Sequence, residues 1–278
     1  MIKLLIDSGG SLSLDILKDV LILNTEINID DDCYVSSMNW KCFTPEFLIK
    51  CLNEDKIIRT TQSPIGVWIR DLMSIFSDWP DYDFLYLATS SNLGGSVRVF
   101  NIIKNLMKTD RNIDMVEVNG AGPVVELAVL EALDGIKDGL SVSEIKSKIN
   151  NLNRNVRFYA ISESMKQWSH TGRSNDKKVN DSYPKGLPLM KGLSDGHIGL
   201  SCLNRSFDDA LNNFKKDIND LKATRCVVNY IHGTYTDWID RFKKTVEESL
   251  DCKASAVNEH GPTVTCIEGV NSVDVAFI

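Results

Sequence analysis

Short unbroken apolar runs alternate with stretches of helical periodicity through the first half of this chain. Ile2 to Asp7 reads as a strand, and Phe84 to Ala88 is a short apolar run, the pattern of a parallel strand covered on both faces. Val20 to Ile29 is rich in β-formers and ends in a solvated Asp30-Asp31-Asp32 turn, and Asp114 to Val118 is a further strand. Helix signals fall between them. Leu14 to Val20 forms a short helix. Thr44-Pro45 supplies a cap and a proline at the first helical position, with Phe47, Leu48 and Cys51 on one face. Thr60-Thr61-Gln62-Ser63-Pro64 opens a helix over Ile65 to Phe76, and Val97 to Met107 is another. Pro123 starts the helix Val124 to Leu133, and Ser141 with Glu144 forms a capping box for a helix ending near Asn150. This order predicts a mainly parallel sheet with helices on both faces and right-handed crossovers.

The second half is patterned differently. Val156 to Ile161 is a strand, and His170 to Lys185 is polar and irregular, with a basic pair at Lys177 and Lys178. Asp195-Gly196 is a hairpin signal between two β-like runs. Ser206 caps a helix reaching Leu221, Arg225 to Ile231 is a strand, and Asp237 to Leu250 is an amphipathic helix. Ala254 to Val257 and Val273 to Phe277 close the chain as strands. Hairpins mixed with helices predict a smaller mixed-sheet α+β domain. The polar segment Asn151 to Asn155 marks the junction, giving a Rossmann-like α/β domain over 1–155 and a mixed α/β domain over 156–278.

Composition narrows the function classes. A net charge of −7 argues against a general nucleic-acid binder, whose footprint is a basic face. Seven cysteines, an odd number without a CxxC pair, fit reduced thiols rather than a disulfide framework. Neither a leader pattern nor an apolar run of spanning length occurs, so the cytoplasm is expected, with at most transient membrane contact. The four histidines show no metal-ligand spacing, and no metal or cofactor is expected. His170 reads as solvated, His232 and His260 read first as hydrogen-bonded structural residues, and His197 sits beside a hairpin turn.

The strongest chemical pointer follows the strand that ends at Ala88. Thr89, Ser90, Ser91, Asn92, Gly94, Gly95 and Ser96 form a turn rich in hydroxyls and glycine at a strand's carboxyl end, where open α/β sheets bind ligands. Free amides and hydroxyls at a helix start suit an anion. Simpler roles compete: Thr60 and Thr61 can cap a helix, Ser90 and Ser91 can hold a turn, and Gly94 and Gly95 can serve close packing. An enzyme using Ser91 or Ser96 as nucleophile would lack the G-x-S-x-G elbow and an evident base. The stripe Val124, Val125, Leu127 and Ala128 faces either a ligand tunnel or a core, with a core the commoner outcome.

Six strings in order resemble the DegV family, which includes the bacterial fatty-acid-binding subunits of fatty acid kinase. They are Ile6-Asp7-Ser8, Thr60 to Trp68, Ser90 to Ser96, His170 to Arg173, Arg205-Ser206, and Gly261-Pro262 with the closing Val275 to Ile278. The resemblance implies a two-domain fold with one long acyl chain enclosed between the domains. It implies a non-catalytic protein that presents the acid's carboxylate to a separate kinase subunit. By resemblance the carboxylate contacts are Thr60, Thr61, Ser90 and Ser91, supported by Asn92, Gly94, Gly95 and Ser96, with Arg173 and Arg205 as further anion or partner contacts. The chain departs from the family at its late H-T-G-P-G stretch, where Ile267 falls near the histidine position and Glu268 follows. A glutamate beside a carboxylate head group repels it. A second reading is therefore a DegV fold that has lost fatty-acid binding and serves as a scaffold, or binds a different lipid or small acid. Burial of an acyl chain contributes about 0.8 kcal/mol per methylene, so sixteen carbons supply on the order of 10 kcal/mol gross.

Overall fold

The computed structural model describes residues 1–54, 56–107, 111–173 and 185–278; Lys177 and Lys178 lie outside them. The first elements are β1 (Ile2–Asp7), α1 (Leu14–Leu17), β2 (Val20–Leu23), β3 (Thr25–Ile29), β4 (Asp32–Ser36), α2 (Pro45–Asn53) and β5 (Ile58–Gln62). Then come α3 (Ile65–Asp78), β6 (Asp83–Ala88), α4 (Ser96–Met107), β7 (Ile113–Glu117), α5 (Pro123–Lys137) and α6 (Val142–Asn155). The remainder is β8 (Arg157–Ser162), α7 (Lys166–His170), β9 (Leu187–Gly192), β10 (Ile198–Asn204), α8 (Phe207–Asp217), β11 (Cys226–Tyr230), α9 (Thr236–Leu250), β12 (Ala254–Glu259), α10 (Pro262–Glu268) and β13 (Ser272–Phe277).

Three sheets form. A four-stranded sheet runs β2-β1-β6-β7, every pair parallel. A six-stranded sheet runs β10-β9-β8-β13-β11-β12 and is antiparallel except for β11 with β12. A small antiparallel sheet runs β4-β3-β5. All strands of the first and third sheets precede residue 156, and all strands of the second follow it. The polar segment 151–155 is the last turn of α6.

Burial explains the layering. Leu5, Phe84 and Tyr86 face α3 and α4, while Leu4, Ile6, Leu85 and Leu87 face α5 and α6 on the opposite side of the parallel sheet. Strand residues alternate faces, so a run buried on both sides must be apolar throughout. Phe158, Ala160, Met190 and Ala276 of the six-stranded sheet join the same inner core against α5 and α6. Tyr159, Ile161, Val228 and Val275 face α8 and α9 outside it. The stack is thus helix, sheet, helix, sheet, helix. Val124, Val125, Leu127 and Ala128 pack into the middle layer as core.

Several local signals hold. Thr44 Oγ1 accepts from Phe47 N, Ser141 and Glu144 form the reciprocal box, and Ser206 accepts from Asp209 N. Gly196 turns the β9–β10 hairpin at φ +84°, and a side chain there would overlap Ser90 Oγ and Asn119 Oδ1. Other expectations are corrected. Thr60 and Thr61 do not open a helix; they lie on β5, paired with Ile27 and Glu26, and Pro64 stands at the N-cap of α3. The run from Val20 to Ile29 is two strands in two sheets, and Leu14 opens a helix of four residues only. β4 and α10 are additional elements.

Trp68 anchors α3. Its side chain is fully buried, and Nε1 donates to the Asn24 carbonyl at 2.7 Å in the link between β2 and β3. Trp68→Ala is expected to cost about 3–5 kcal/mol in urea unfolding. Trp68→Phe should cost clearly less, because Ser63 Oγ also donates to that carbonyl at 3.0 Å. Equal losses for the two variants would contradict this packing account.

Candidate functional site

A cavity of about 450 Å³ opens where the two larger sheets meet the amino end of α5. It is bordered by Asp7 at the end of β1 and Gly9 beyond it, Thr89 and the 91–95 turn after β6, and Gly120 to Gly122 before α5. Thr60, Thr61 and Gln62 of β5 form another wall. Phe158, Trp168, Ile198, Val264 and Ile267 supply apolar surface. The size lies within the ordinary range for small-molecule sites, about 300–1,000 Å³.

The position follows from chain chemistry. β1 ends at Asp7, which is 1% exposed and accepts from Gly9 N at 2.8 Å, Tyr86 Oη at 2.7 Å and Thr89 Oγ1 at 3.1 Å. Those bonds pin the ends of β1 and β6 together and satisfy a buried carboxylate. Ser8, Thr25, Thr263 and Ser36 then form a hydroxyl chain with spacings of 2.7, 3.2 and 2.5 Å. It ties the parallel sheet to the small sheet and to α10.

The head-group residues expected from sequence fall into distinct places. Thr60 lines the cavity, and its Oγ1 accepts from Arg173 at 3.1 Å. Thr61 also lines it, with Oγ1 accepting from Asn28 Nδ2 at 3.0 Å. Ser91 lines the rim, and both its amide and its hydroxyl donate to Glu117 Oε1, at 2.6 and 2.7 Å. Asn92, Gly94 and Gly95 border the cavity, and Asn92 Nδ2 donates to the Asp195 carbonyl across the hairpin. Ser90 and Ser96 are buried outside the lining: Ser90 Oγ accepts from Asn92 N, and Ser96 Oγ accepts from Gln62 Nε2. Arg205 is exposed at the bend before α8, away from the lining.

Arg173 brings a cationic side chain to the wall. It is half-buried, and burial pulls its guanidinium below the ordinary value, although arginine stays protonated. Among the described residues it meets Thr60 but no carboxylate, and its buried Nε has no acceptor. Gln62 Oε1, also bordering the cavity, is buried without a donor among the described residues.

Behind Gly122 lies a second polar group that sequence reasoning did not assemble. His260 is fully buried; Ser11 Oγ lies 2.5 Å from Nδ1, and Asp274 Oδ2 lies 2.8 Å from Nε2. Ser11 does not border the cavity, so this serine, histidine and aspartate have the connectivity of a nucleophilic relay without access to a substrate. Gly122, at φ +53°, keeps that wall thin: a Cβ would stand 3.4 Å from His260 Cε1. Ser11 and His260 are 249 residues apart, and no spacing rule could have joined them. Burial holds His260 neutral by lowering its pKa, raises Asp274 to about 7, and raises Glu268 well above the carboxylate range. Glu268 borders the cavity and accepts from Ser272 Oγ at 2.6 Å. In its protonated form it presents no negative charge to the cavity.

Two helix-spaced sheets with a ligand-sized cavity at their common edge make this an α/β protein of defined architecture. The DegV family model matches residues 1–278, and the chain belongs to that family. A DegV domain-containing protein of Staphylococcus aureus (strain N315) is 21% identical over 277 residues, 98% of this chain and 96% of the relative. Among solved structures, a DegV family protein from Thermus thermophilus, described by its fatty acid binding, aligns with a TM-score of 0.83 at 18% identity, covering 99% of each chain. One from Eubacterium eligens loaded with heptadecanoic acid aligns with a TM-score of 0.85 at 12% identity, over 100% of this chain and 99% of that one. The Streptococcus pneumoniae fatty acid kinase (Fak) B3 protein loaded with linoleic acid aligns with a TM-score of 0.80 at 14% identity, over 100% and 99%. These likenesses carry the fold.

Glu126, fully buried on α5, accepts from Ser13 N at 3.1 Å and Asn258 Nδ2 at 2.7 Å, yet burial still pushes it up to about 7 from an ordinary 4.5. A carboxyl raised in the folded state stabilises the fold fully below its unfolded value and loses that contribution as pH climbs through the folded value. Relative to Glu126→Gln, the wild type should therefore lose ~3 kcal/mol as pH rises from about 4.5 past about 7. Urea titrations of both proteins across that range check it; parallel stability curves would refute it.

Proposed function

We propose that this chain is a non-catalytic lipid-binding protein that encloses a long-chain fatty acid and holds its carboxylate at Arg173 and Thr60. The observation that carries the reading is Arg173: a half-buried cation in a cavity wall, with a threonine hydroxyl beside it and no carboxylate partner among the described residues. A cation withdrawn from water requires a counter-charge, and an anionic guest supplies one. The apolar surface of Phe158, Trp168, Ile198 and Ile267 gives the acyl chain its place. Ile267 borders the cavity near the position that resemblance gives to a histidine, so the guanidinium and Thr60 replace an imidazole as the principal grip. Thr61, Ser91 and the amides of the 91–95 turn complete the polar end. The likeness to fatty acid kinase B3 supports presentation of that carboxylate to a partner kinase.

Replacing Arg173 by Gln is expected to weaken binding of palmitate about 10–100-fold, the worth of hydrogen bonds to a charged oxygen. Thr60→Val should weaken it less, and both variants should melt within a few degrees of wild type. Fluorescence competition for affinity and native mass spectrometry for stoichiometry read the effect. Unchanged affinity in Arg173→Gln would contradict the assignment. A wild-type chain that purifies empty and stays empty with added palmitate would favour the scaffold reading.

A further inference from the structure

We propose that His260, Glu268 and Asp274 form a binding site for one divalent cation of the zinc type, set in the wall between the cavity and the six-stranded sheet. The three side chains come from the residue after β12, the last residue of α10 and the middle of β13. Their donor atoms all lie within 4.8 Å of one another, and none of the three residues is more than 3% exposed. Zinc bonds of about 2.0–2.2 Å place ligand atoms roughly 3–3.5 Å apart, so small side-chain rotations close the set.

A separate observation points to a missing partner. Asp274 Oδ1 is fully buried and meets no hydrogen-bond donor among the described residues. Such an atom is rare in a folded interior and calls for an occupant. The surrounding groups orient the ligands as second partners do in metal sites. Ser11 Oγ holds His260 Nδ1 and so aims Nε2 inward, while Ser272 Oγ holds Glu268 Oε2. Trp168 Nε1 and Ser162 Oγ extend that support to Ser272.

Charge argues the same way. Glu126, Glu268 and Asp274 are three buried carboxyls, and among the described residues no lysine or arginine pairs with any of them. A dication with one imidazole and two carboxylates is neutral overall, which a buried site favours. The mixed nitrogen and oxygen donors suit zinc better than magnesium or calcium. Of the three, Glu268 borders both the main cavity and a smaller one lined by Leu52 and Gln167.

The test uses the full chain and needs no lipid, so it stands apart from the acyl-binding reading. Chelator-treated protein is titrated with zinc chloride and, in parallel, with cobalt chloride as a visible-absorbing probe. One ion per chain is expected, with a raised melting temperature. Asp274→Asn and Glu268→Gln, close in shape to the native residues, should lose it, and Ser11→Ala should weaken it roughly 10–100-fold. Absence of stoichiometric uptake by wild type would overturn the proposal. Equal uptake by wild type and both carboxyl variants would also overturn it, placing the ion elsewhere, as on the exposed thiols of Cys33 and Cys42.

Discussion

The structure depends on a helix that must be buried on every side. From Val124 to Val129 α5 presents no exposed residue, and such a helix is stable only between two apolar layers. It therefore holds the parallel sheet and the mixed sheet apart by the thickness of one helix layer, ~10–12 Å with side chains. Where the helix begins, at Gly122 and Pro123, that spacer ends. The gap continues as a cavity, walled by the strand ends of both sheets and closed by β5 and α10. The cavity is a consequence of where one helix starts.

Electrostatics divides the wall of that space. On one side Arg173 brings a positive charge with a threonine and, among the described residues, no acid. Behind the opposite side, Glu268, Asp274 and Glu126 crowd together, and burial raises all three. Ionised carboxylates there would oppose an acidic guest. A protonated or cation-bound set does not, so a buried glutamate beside the cavity and a fatty acid within it are compatible. Asp7 shows the contrasting solution, a buried carboxylate satisfied by amide and hydroxyl donors on neighbouring strands.

Much of the fold was legible in the sequence because local chemistry and global structure agree there. The caps at Thr44, Ser141 and Ser206, the proline at 123 and the Asp195-Gly196 turn each work alone, within a few residues. Thr60 and Thr61 were misleading for the same reason. Two β-branched hydroxyl residues ahead of Ser-Pro satisfy a capping rule, and only pairing with β3, more than thirty residues earlier, makes them a strand. The candidate site was legible in part. Thr60, Thr61, Ser91, Asn92, Gly94, Gly95 and Arg173 do come together, but Ser90 and Ser96 point into turn and helix packing and Arg205 lies elsewhere. The Ser11, His260 and Asp274 group left no trace in spacing, since its members meet only when α5 brings the two sheets into register.

The central claim is that the space at the start of α5 holds an acyl chain with its acid end at Arg173. A crystal structure of the chain grown with palmitate tests it most directly. The account predicts continuous density along Phe158, Trp168 and Ile267, ending in a carboxylate within hydrogen-bonding distance of Arg173 and Thr60. Lipid density at another place, or side chains closed over this space in the presence of excess palmitate, would contradict it.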